Sequence, residues 1–217
     1  MYRALLFDLD GTLAETDSLH LPTWVDVLRP HGIEVDEAFY KENISGRSAG
    51  EIVRQLLPDL STEEGNNLAD AKEASFRELA GELEPLPGLL DFLKESRECG
   101  LKTALVTNAP EENVEAILLA LELGEFFDEA VLSDEVGSVK PDPAPYRAAL
   151  DRLGLSPEEA VAFEDSTSGI SSAVGAGVPT VGIASTQDPE TLRRAGVFMV
   201  VEDFTDPQLR EFIGTVS

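Results

Sequence analysis

The sequence predicts an α/β fold in which helices cover both faces of a parallel sheet. Short apolar runs alternate with amphipathic segments along most of the 217 residues, which is typical of strand–helix–strand units. Residues 15–83 instead show helical patterns and no convincing strand, which indicates an all-helical insertion. Polar side chains follow several of the apolar runs, at the end where parallel sheets bind ligands.

The apolar runs define the predicted strands. They lie at residues 4–7, 103–106, 130–132, 161–163, 180–183 and 198–201. The segments between them have the apolar spacing of helices that bury one face. These helices are predicted at residues 88–99, 111–121, 143–153 and 168–176. Because strands and helices alternate, the strands are expected to run parallel.

The insertion follows the first strand and ends at a proline-rich segment. Its helices are predicted at residues 19–28, 49–57 and 62–83. Residues 84–88 read Glu-Pro-Leu-Pro-Gly, and prolines resist helix continuation. We therefore predict a core domain formed by residues 1–14 and 84–217, and a second, helical domain formed by residues 15–83.

Composition limits the possible partners. The chain has 16 Lys and Arg against 42 Asp and Glu, a formal net charge of −26, which would repel nucleic acid and anionic membranes. No apolar run approaches the roughly 18–20 residues that span a bilayer, and the first residues resemble a strand rather than a signal peptide. We expect a cytoplasmic protein without nucleic acid or membrane partners, and favour a monomer. Cys99, the only cysteine, cannot form an internal disulfide and is expected to be buried.

The polar residues after the strands predict a ligand site. They are Asp8 and Asp10 after the first strand, Thr107 and Asn108 after the second, Ser133 and Asp134 after the third, and Glu164 and Asp165 after the fourth. Two carboxylates about 4 Å apart repel by a few kcal/mol at an effective dielectric constant near 20. A cation is therefore needed among them, and Mg²⁺ prefers oxygen ligands of this kind. Lys140 would add a second positive charge.

Solvated acidic residues are common in so acidic a chain. However, Asp8-Leu9-Asp10 is the only Asp-x-Asp in the sequence, and it lies at the crevice end of the first strand. We therefore interpret the set as functional, and regard Asp134 as its weakest member, structural or solvent-facing.

Four short motifs carry a family resemblance over the whole chain. They are Asp8-Leu9-Asp10-Gly11-Thr12, Thr107-Asn108, Lys140-Pro141 and Glu164-Asp165. In order and spacing they resemble the signature motifs of the haloacid dehalogenase superfamily. The insertion resembles the cap domain of the subgroup that contains β-phosphoglucomutase and many small phosphatases. The resemblance implies a Rossmann-like parallel sheet core with an inserted helical cap.

The resemblance also implies catalytic roles. Asp8 would attack phosphorus and form an aspartyl-phosphate, and Asp10 would act as general acid and then as general base. Lys140 would neutralise Asp8 and the phosphoryl oxygens. Thr107 would donate a hydrogen bond to the phosphate. Pro110 is expected in the first turn of the next helix, whose N-terminus would face that phosphate.

The expected cofactor is Mg²⁺. By resemblance, Asp8, the backbone carbonyl of Asp10, and Asp165 would bind it. Glu164 would reach the metal directly or through water.

Candidate substrate-binding residues lie mostly in the insertion. Thr16 and His20 have the spacing of the β-phosphoglucomutase-like subgroup, whose histidine links substrate binding to the acid/base. Arg47 could bind a phosphate or a sugar hydroxyl through its fork of donors, and it is expected to be the main basic residue of the insertion near the site. Asn108, beside Thr107, completes this set. His31, between Pro30 and Gly32, is expected in a turn without a chemical role.

The predicted function is Mg²⁺-dependent hydrolysis of a small phosphorylated metabolite, with a sugar phosphate favoured. A phosphohexomutase is the alternative. However, the mutase pattern has basic residues where this chain has Ser45, Ala49 and Pro110, so a second phosphate would be held poorly. A dehalogenase is disfavoured because that branch needs no metal and does not use a second aspartate as acid/base. A protein that binds phosphorylated metabolites without turnover stays open.

Overall fold

The computed structural model describes residues 1–214, and its centre is a parallel sheet. The sheet contains β1 (Ala4–Phe7), β2 (Lys102–Thr107), β3 (Glu129–Leu132), β4 (Ala160–Glu164), β5 (Thr180–Ile183) and β6 (Met199–Val201). Their order across the sheet is β3-β2-β1-β4-β5-β6, and neighbouring strands are parallel throughout. The predicted strands and their parallel arrangement are therefore confirmed.

Helices connect the strands and follow the last one. Between β1 and β2 lie α1 (Asp17–Leu28), α2 (Glu37–Asn43), α3 (Ala49–Leu56), α4 (Thr62–Leu79) and α5 (Leu89–Glu98), with 3-10 turns at Arg29–His31 and Ala80–Glu82. The later helices are α6 (Glu111–Ala120), α7 (Ser133–Val136), α8 (Ala144–Leu153), α9 (Thr167–Gly175), α10 (Pro189–Ala195) and α11 (Pro207–Gly214), with 3-10 turns at Gly124–Phe126 and Pro157–Glu159. None of the helices within residues 1–214 has the length and hydropathy needed to cross a membrane.

The two faces of the sheet are buried by different helices. Successive side chains of a strand point to opposite faces, so β1 divides its residues between two cores. Leu5 and Phe7 belong to the apolar cluster that includes residues of α5 and α6. Ala4 and Leu6 belong to a second cluster, formed with α8 and α9. All four β1 residues are fully buried, as expected for a strand that is covered on both faces.

Residues 17–82, called the helical insertion below, contain α1–α4 and have an apolar cluster of their own. Trp24, Leu28, Tyr40 and Ile52 are among its buried members. α3 and α4 both begin with a capping box, in which a serine and the glutamate three residues later exchange hydrogen bonds with the backbone. Within the described part of the chain, no strand lies in this segment, as the sequence predicted.

The two connections to the helical insertion run side by side. Ala14 forms an antiparallel bridge with Pro85, and the Leu86 N–H donates to the Leu13 carbonyl over 2.8 Å. This pairing joins the start and the end of the insertion. The division into a core (1–14 and 84–217) and a helical domain (15–83) stays a prediction.

One predicted helix was too long, and one helix was not predicted. The helix predicted to reach residue 83 ends at Leu79 and continues as a 3-10 turn, a common way to tighten a last helical turn. α2 was not predicted, although Asp36 caps it by accepting a hydrogen bond from the Phe39 N–H over 2.7 Å. Seven residues are too few for a clear apolar periodicity. His31 lies in a turn, as expected.

The prediction that Cys99 is buried was wrong. The buried side of α5 is formed by Leu89, Phe92, Leu93 and Ser96. Cys99 is the C-cap residue that follows this helix, and its side chain is exposed. Residue type favoured burial, but the position at the helix end determined the outcome.

Gly88 and Gly100 offer a matched test of backbone constraint. Both have positive φ, +79° and +76°, which costs a residue with a Cβ about 1–2 kcal/mol. A Cβ at Gly88 would lie 2.6 Å from the Phe204 carbonyl carbon, whereas one at Gly100 would meet nothing within 4 Å. We predict that Gly88→Ala lowers the free energy of unfolding clearly more than Gly100→Ala, measured by urea denaturation. Equal losses would contradict this account of Gly88.

Candidate active site

Three neighbouring strands bring the predicted site residues together. β1 lies between β2 and β4, so the residues at their carboxyl ends share one edge of the sheet. Asp8 directly follows β1, and its N–H donates to the Phe163 carbonyl of β4 over 3.0 Å. Thr107 ends β2 and Glu164 ends β4.

Lys140 joins the ends of these strands. Its Nζ donates to Asp8 Oδ1 over 2.6 Å, to Glu164 Oε1 over 2.7 Å and to the Val106 carbonyl over 2.7 Å. Burial alone lowers the pKa of Lys140, but attraction to Asp8 and Glu164 outweighs burial and raises the pKa above its usual value. The buried amine is therefore charged and pairs with both carboxylates.

Asp8, Glu164 and Asp165 form a compact carboxylate cluster. Each is buried and offers an oxygen within 4.8 Å of the oxygens of the other two. Burial, followed by repulsion from Glu164, raises the pKa of Asp8 to about 7. Burial, followed by repulsion from Asp8 and Glu164, raises the pKa of Asp165 well above its usual value. Among the described residues, Lys140 is the lysine in contact with this cluster, so negative charge exceeds positive charge there when all three carboxyls are ionised.

Two glycines make room for the cluster. Gly11 has a φ of +75°, and a Cβ there would lie 2.1 Å from Asp165 Oδ2. A Cβ at Gly169, in α9, would lie 1.9 Å from Glu164 Oε2. Both positions need a residue without a side chain, because the carboxylates occupy that space. Gly11 also brings the turn that follows Asp10 against Asp165.

Glu164 and Asp165 have different surroundings. Glu164 Oε1 accepts hydrogen bonds from Lys140 and from the Tyr146 hydroxyl, the latter over 2.7 Å, and its side chain is fully buried. Asp165 Oδ2 accepts a hydrogen bond from the Thr186 hydroxyl. The protein itself therefore engages Glu164 more completely than Asp165.

Sequence analysis missed Tyr146 and Thr186. Tyr146 lies on the buried side of α8, and a polar aromatic residue on the apolar side of a predicted helix was a usable signal, since a buried hydroxyl needs a partner. Thr186 follows β5 in an irregular segment, where no pattern distinguished it.

Asn108 connects two loops of the site. Its Oδ1 accepts hydrogen bonds from the Ser133 hydroxyl over 2.5 Å and from the Lys140 N–H over 3.0 Å. Thr107 is buried, and its hydroxyl oxygen accepts from the Ala109 N–H over 3.0 Å. Asn108 thus holds the segment that carries Lys140, and its predicted role in substrate binding stays a prediction. Asp134 is exposed, as expected.

The helix after Thr107 begins at Glu111, as the predicted range 111–121 has it, but the expected place of Pro110 in its first turn was wrong. Pro110 is the N-cap of α6 rather than part of its first turn, and Glu111 is the first helical residue. Pro110 cannot donate a hydrogen bond. Its carbonyl accepts from the N–H groups of Asn113 and Val114.

Asp10 contacts the helical insertion. The hydroxyl of Thr16, the N-cap residue of α1, donates to Asp10 Oδ1 over 2.7 Å. His20 Nε2 lies 3.7 Å from the same oxygen. Burial raises the pKa of Asp10, but hydrogen bonding and attraction from His20, together with Thr16, lower it below its usual value. The structure thus brings Thr16 and His20 to Asp10, and their predicted role in substrate binding stays a prediction.

A buried lysine stands behind His20. Lys72 Nζ lies 2.6 Å from His20 Nδ1 and 3.1 Å from Glu73 Oε1. An ammonium group can only donate hydrogen bonds, so Nδ1 accepts and the ring proton is on Nε2, which faces Asp10. The ring also stacks on Phe76, with 4.0 Å between ring centroids. Lys72 therefore determines the tautomer of His20.

Lys72 corrects the expectation that Arg47 is the main basic residue of the insertion near the site. Lys72 is buried, whereas Arg47 is exposed and its Nη1 donates to the Asn43 carbonyl over 3.1 Å. The signal was present: Leu68, Lys72 and Phe76 follow one another at intervals of four residues, so the lysine shares a helix face with apolar residues.

Comparisons with known proteins show which proteins this chain is similar to. Residues 5–183 match the family model described as haloacid dehalogenase-like hydrolase. Phosphorylated carbohydrates phosphatase of Thermotoga maritima is 33% identical over 212 residues, which cover 92% of this chain and 94% of that protein. Fructose-1-phosphate phosphatase YqaB of Escherichia coli is 34% identical over 186 residues, which cover 84% of this chain and 96% of that protein.

A solved structure extends the similarity to the fold. It is a mutant of CbbY from Rhodobacter sphaeroides in complex with xylulose-(1,5)bisphosphate, with a TM-score of 0.81 and 30% sequence identity, covering 95% of this chain and 96% of that chain. The family model spans the four motifs from Asp8 to Asp165. The chain belongs to the haloacid dehalogenase-like hydrolase family.

Proposed function

We propose that this chain is a Mg²⁺-dependent phosphomonoesterase that hydrolyses a small phosphorylated metabolite, with a sugar phosphate favoured. The observation that carries the proposal is the buried contact of Asp8 with Lys140, beside Glu164 and Asp165. The names of the relatives support the substrate class, since two of them are phosphatases of phosphorylated carbohydrates and of fructose 1-phosphate.

The donor set fits a divalent cation. Asp8, Glu164 and Asp165 supply closely spaced carboxylate oxygens, the ligands that Mg²⁺ prefers, and their charge exceeds that of Lys140. Asp8 and Asp165 would hold the metal with the backbone carbonyl of Asp10, and Glu164 would act directly or through water. When bound, the metal would neutralise negative charge on Asp8 and on the phosphoryl oxygens.

In the first step an Asp8 oxygen attacks phosphorus, and the bond between phosphorus and the leaving oxygen breaks. Asp10 gives the leaving oxygen a proton. His20 and Thr16 lower the pKa of Asp10 in the free protein, whereas the negative charge of a bound phosphate opposes this effect and favours the acid form. Lys140 stabilises the charge on the phosphoryl oxygens.

In the second step water attacks the aspartyl-phosphate, and Asp10, now ionised, accepts a proton from that water. The bond between Asp8 and phosphorus breaks, which releases phosphate and regenerates the Asp8 carboxylate. The Thr107 hydroxyl would donate a hydrogen bond to the phosphate in both steps.

The cations of the insertion favour hydrolysis over a mutase. Lys72 is buried and bound to His20 and Glu73, and Arg47 is exposed and bound to a backbone carbonyl. A mutase must hold a second phosphate while its bisphosphate intermediate turns round, and neither residue is arranged for that task here.

The two aspartates of the first motif should fail differently. We predict that Asp8→Asn abolishes turnover and the phosphoenzyme, because the nucleophile is lost. Asp10→Asn should still allow slow phosphorylation of Asp8 by p-nitrophenyl phosphate, whose leaving group needs little protonation. Phosphate release and trapping of the acid-stable phosphoenzyme measure both. Equal residual activity would contradict this division of roles, and a wild-type protein without phosphate release would instead support the non-catalytic binder.

Metal binding should depend on pH and on Asp165. The pKa of Asp8 is raised to about 7 and that of Asp165 is raised well above its usual value, so both carboxyls bind protons more readily than ordinary aspartates as the pH falls. Protons then compete with the metal. We predict that Mg²⁺ raises the melting temperature more at pH 8 than at pH 6.

Isosteric variants test the ligand assignment by the same measurement. Asp165→Asn should reduce the Mg²⁺-induced rise in melting temperature more than Glu164→Gln does, since Lys140 and Tyr146 already occupy Glu164. If both variants reduced the Mg²⁺-induced rise in melting temperature equally, the assignment of Asp165 as the more important metal ligand would be wrong.

The product separates phosphatase from mutase. We predict that β-glucose 1-phosphate, if accepted, yields glucose and inorganic phosphate, and that added glucose 1,6-bisphosphate does not redirect the product. The measurement is an assay for glucose 6-phosphate with a coupled dehydrogenase. If glucose 6-phosphate were the dominant product, the chain would be assigned as a mutase rather than as a phosphatase.

A further inference from the structure

Asn113, in α6, contacts the helical insertion with both ends of its amide group. Its Oδ1 accepts a hydrogen bond from Arg77 Nη1 over 3.0 Å, and its Nδ2 donates to Glu73 Oε2 over 2.6 Å. The side chain is buried, with 2% of the residue exposed. Because a carboxylate only accepts and a guanidinium only donates, these partners fix the orientation of the amide.

The contacts continue from Asn113 to Asp10. The other oxygen of Glu73 accepts from Lys72 over 3.1 Å, and Lys72 lies 2.6 Å from His20 Nδ1. His20 Nε2 faces Asp10 at 3.7 Å. A chain of polar contacts thus leaves α6, passes through α4 and α1, and returns to the loop after β1.

Each contact in this chain constrains the next. Glu73 gives the buried Lys72 amine a counter-charge and a fixed acceptor, which a desolvated amine needs in order to stay charged. The charged amine holds the proton of His20 on Nε2. Asn113 in turn holds Glu73, which otherwise would be free to adopt other rotamers, because a glutamate side chain is flexible.

We propose that Asn113 is a positioning residue for the acid/base Asp10. By holding Glu73, it keeps Lys72 and His20 in the arrangement that directs the His20 Nε2–H toward Asp10, and so couples the docking of the helical insertion on α6 to proton transfer. The kinetic part of this inference rests on the proposed phosphatase function; the part that concerns His20 does not.

The first test measures His20 without any turnover. The chain has two histidines, so ring ¹⁵N signals can be assigned with His31→Gln as reference. In the wild-type protein we expect an unprotonated, hydrogen-bonded Nδ1 and a protonated Nε2 for His20. In Asn113→Ala we expect a shift toward a mixture of tautomers. Unchanged His20 signals in a folded Asn113→Ala variant would overturn the proposal, whatever the activity.

The second test uses two leaving groups. A misplaced acid/base harms the release of a poor leaving group most. We expect Asn113→Ala to lower kcat on glycerol 2-phosphate by about tenfold or more, a part of the roughly 10²–10⁴-fold that general acid catalysis supplies, and to change kcat on p-nitrophenyl phosphate by less than about threefold. Equal losses on both substrates would indicate a merely structural role and overturn the proposal.

An exchanged pair controls for loss of folding. In Glu73→Gln alone, the NH₂ group of the new amide faces the NH₂ group of Asn113, so two donors meet. In Asn113→Asp alone, the new carboxylate faces the carboxylate of Glu73. The double variant restores a donor on residue 73, an acceptor on residue 113, and the contacts to Lys72 and Arg77. We expect both single variants to lose activity on glycerol 2-phosphate and the double variant, whose carboxylate lies one hydrogen bond further from Lys72, to recover part of it. A double variant no better than either single variant would overturn the proposal.

Arg77→Met separates positioning from docking. It removes the other contact of Asn113 with the helical insertion but leaves the contact with Glu73. We expect the ratio of kcat on the two substrates to stay within about twofold of the wild-type value. A drop as large as that of Asn113→Ala would show that docking alone explains the effect.

Discussion

The site depends on the buried amine of Lys140. It donates to Asp8, Glu164 and the Val106 carbonyl over 2.6–2.7 Å, and so ties β1, β2 and β4 together at their carboxyl ends. Removing one partner of a buried pair leaves an uncompensated charge, at a cost of about 3–5 kcal/mol. The buried carboxylate of Asp8 is tolerable next to two other carboxylates because this amine is present. The surplus of negative charge that is left is what makes the site receptive to a divalent cation.

The backbone around the amine is shaped to bring charges close. Gly11 and Gly169 lack the Cβ atoms that would enter the space of the Asp165 and Glu164 carboxylates. The side chain of Asn108 holds the Lys140 N–H over 3.0 Å. The signature motifs are therefore parts of one electrostatic arrangement, in which strand ends supply carboxylates and the intervening turns supply room and fixed donors.

Features that leave a local pattern in the sequence could be predicted, whereas features that depend on contacts between distant residues could not. The strands and the motifs at their ends are local patterns, since apolar runs end in polar residues, and their convergence follows from a parallel sheet. Lys72 and Asn113 act through contacts with residues 52 and 40 positions away in the chain, and no local pattern encodes such pairs. The prediction that Cys99 is buried failed for a different reason. It rested on residue type, whereas the position at the end of α5 determines the exposure of Cys99.

Asp8 is the proposed nucleophile and Asp10 the proposed acid/base, and Asp10 lies where the two parts of the chain meet. Asp8 is held entirely by strands and by Lys140, so the nucleophile needs nothing from the helical insertion. Asp10, two residues later, takes its contacts from Thr16, directly before that insertion, and from His20 within it. In the proposed mechanism, attack on phosphorus and proton transfer to the leaving group are thus controlled by different elements of the fold. In the proposed function, a helical insertion that selects the substrate also controls the proton, and this division lets substrate preference change without disturbing the proposed nucleophile.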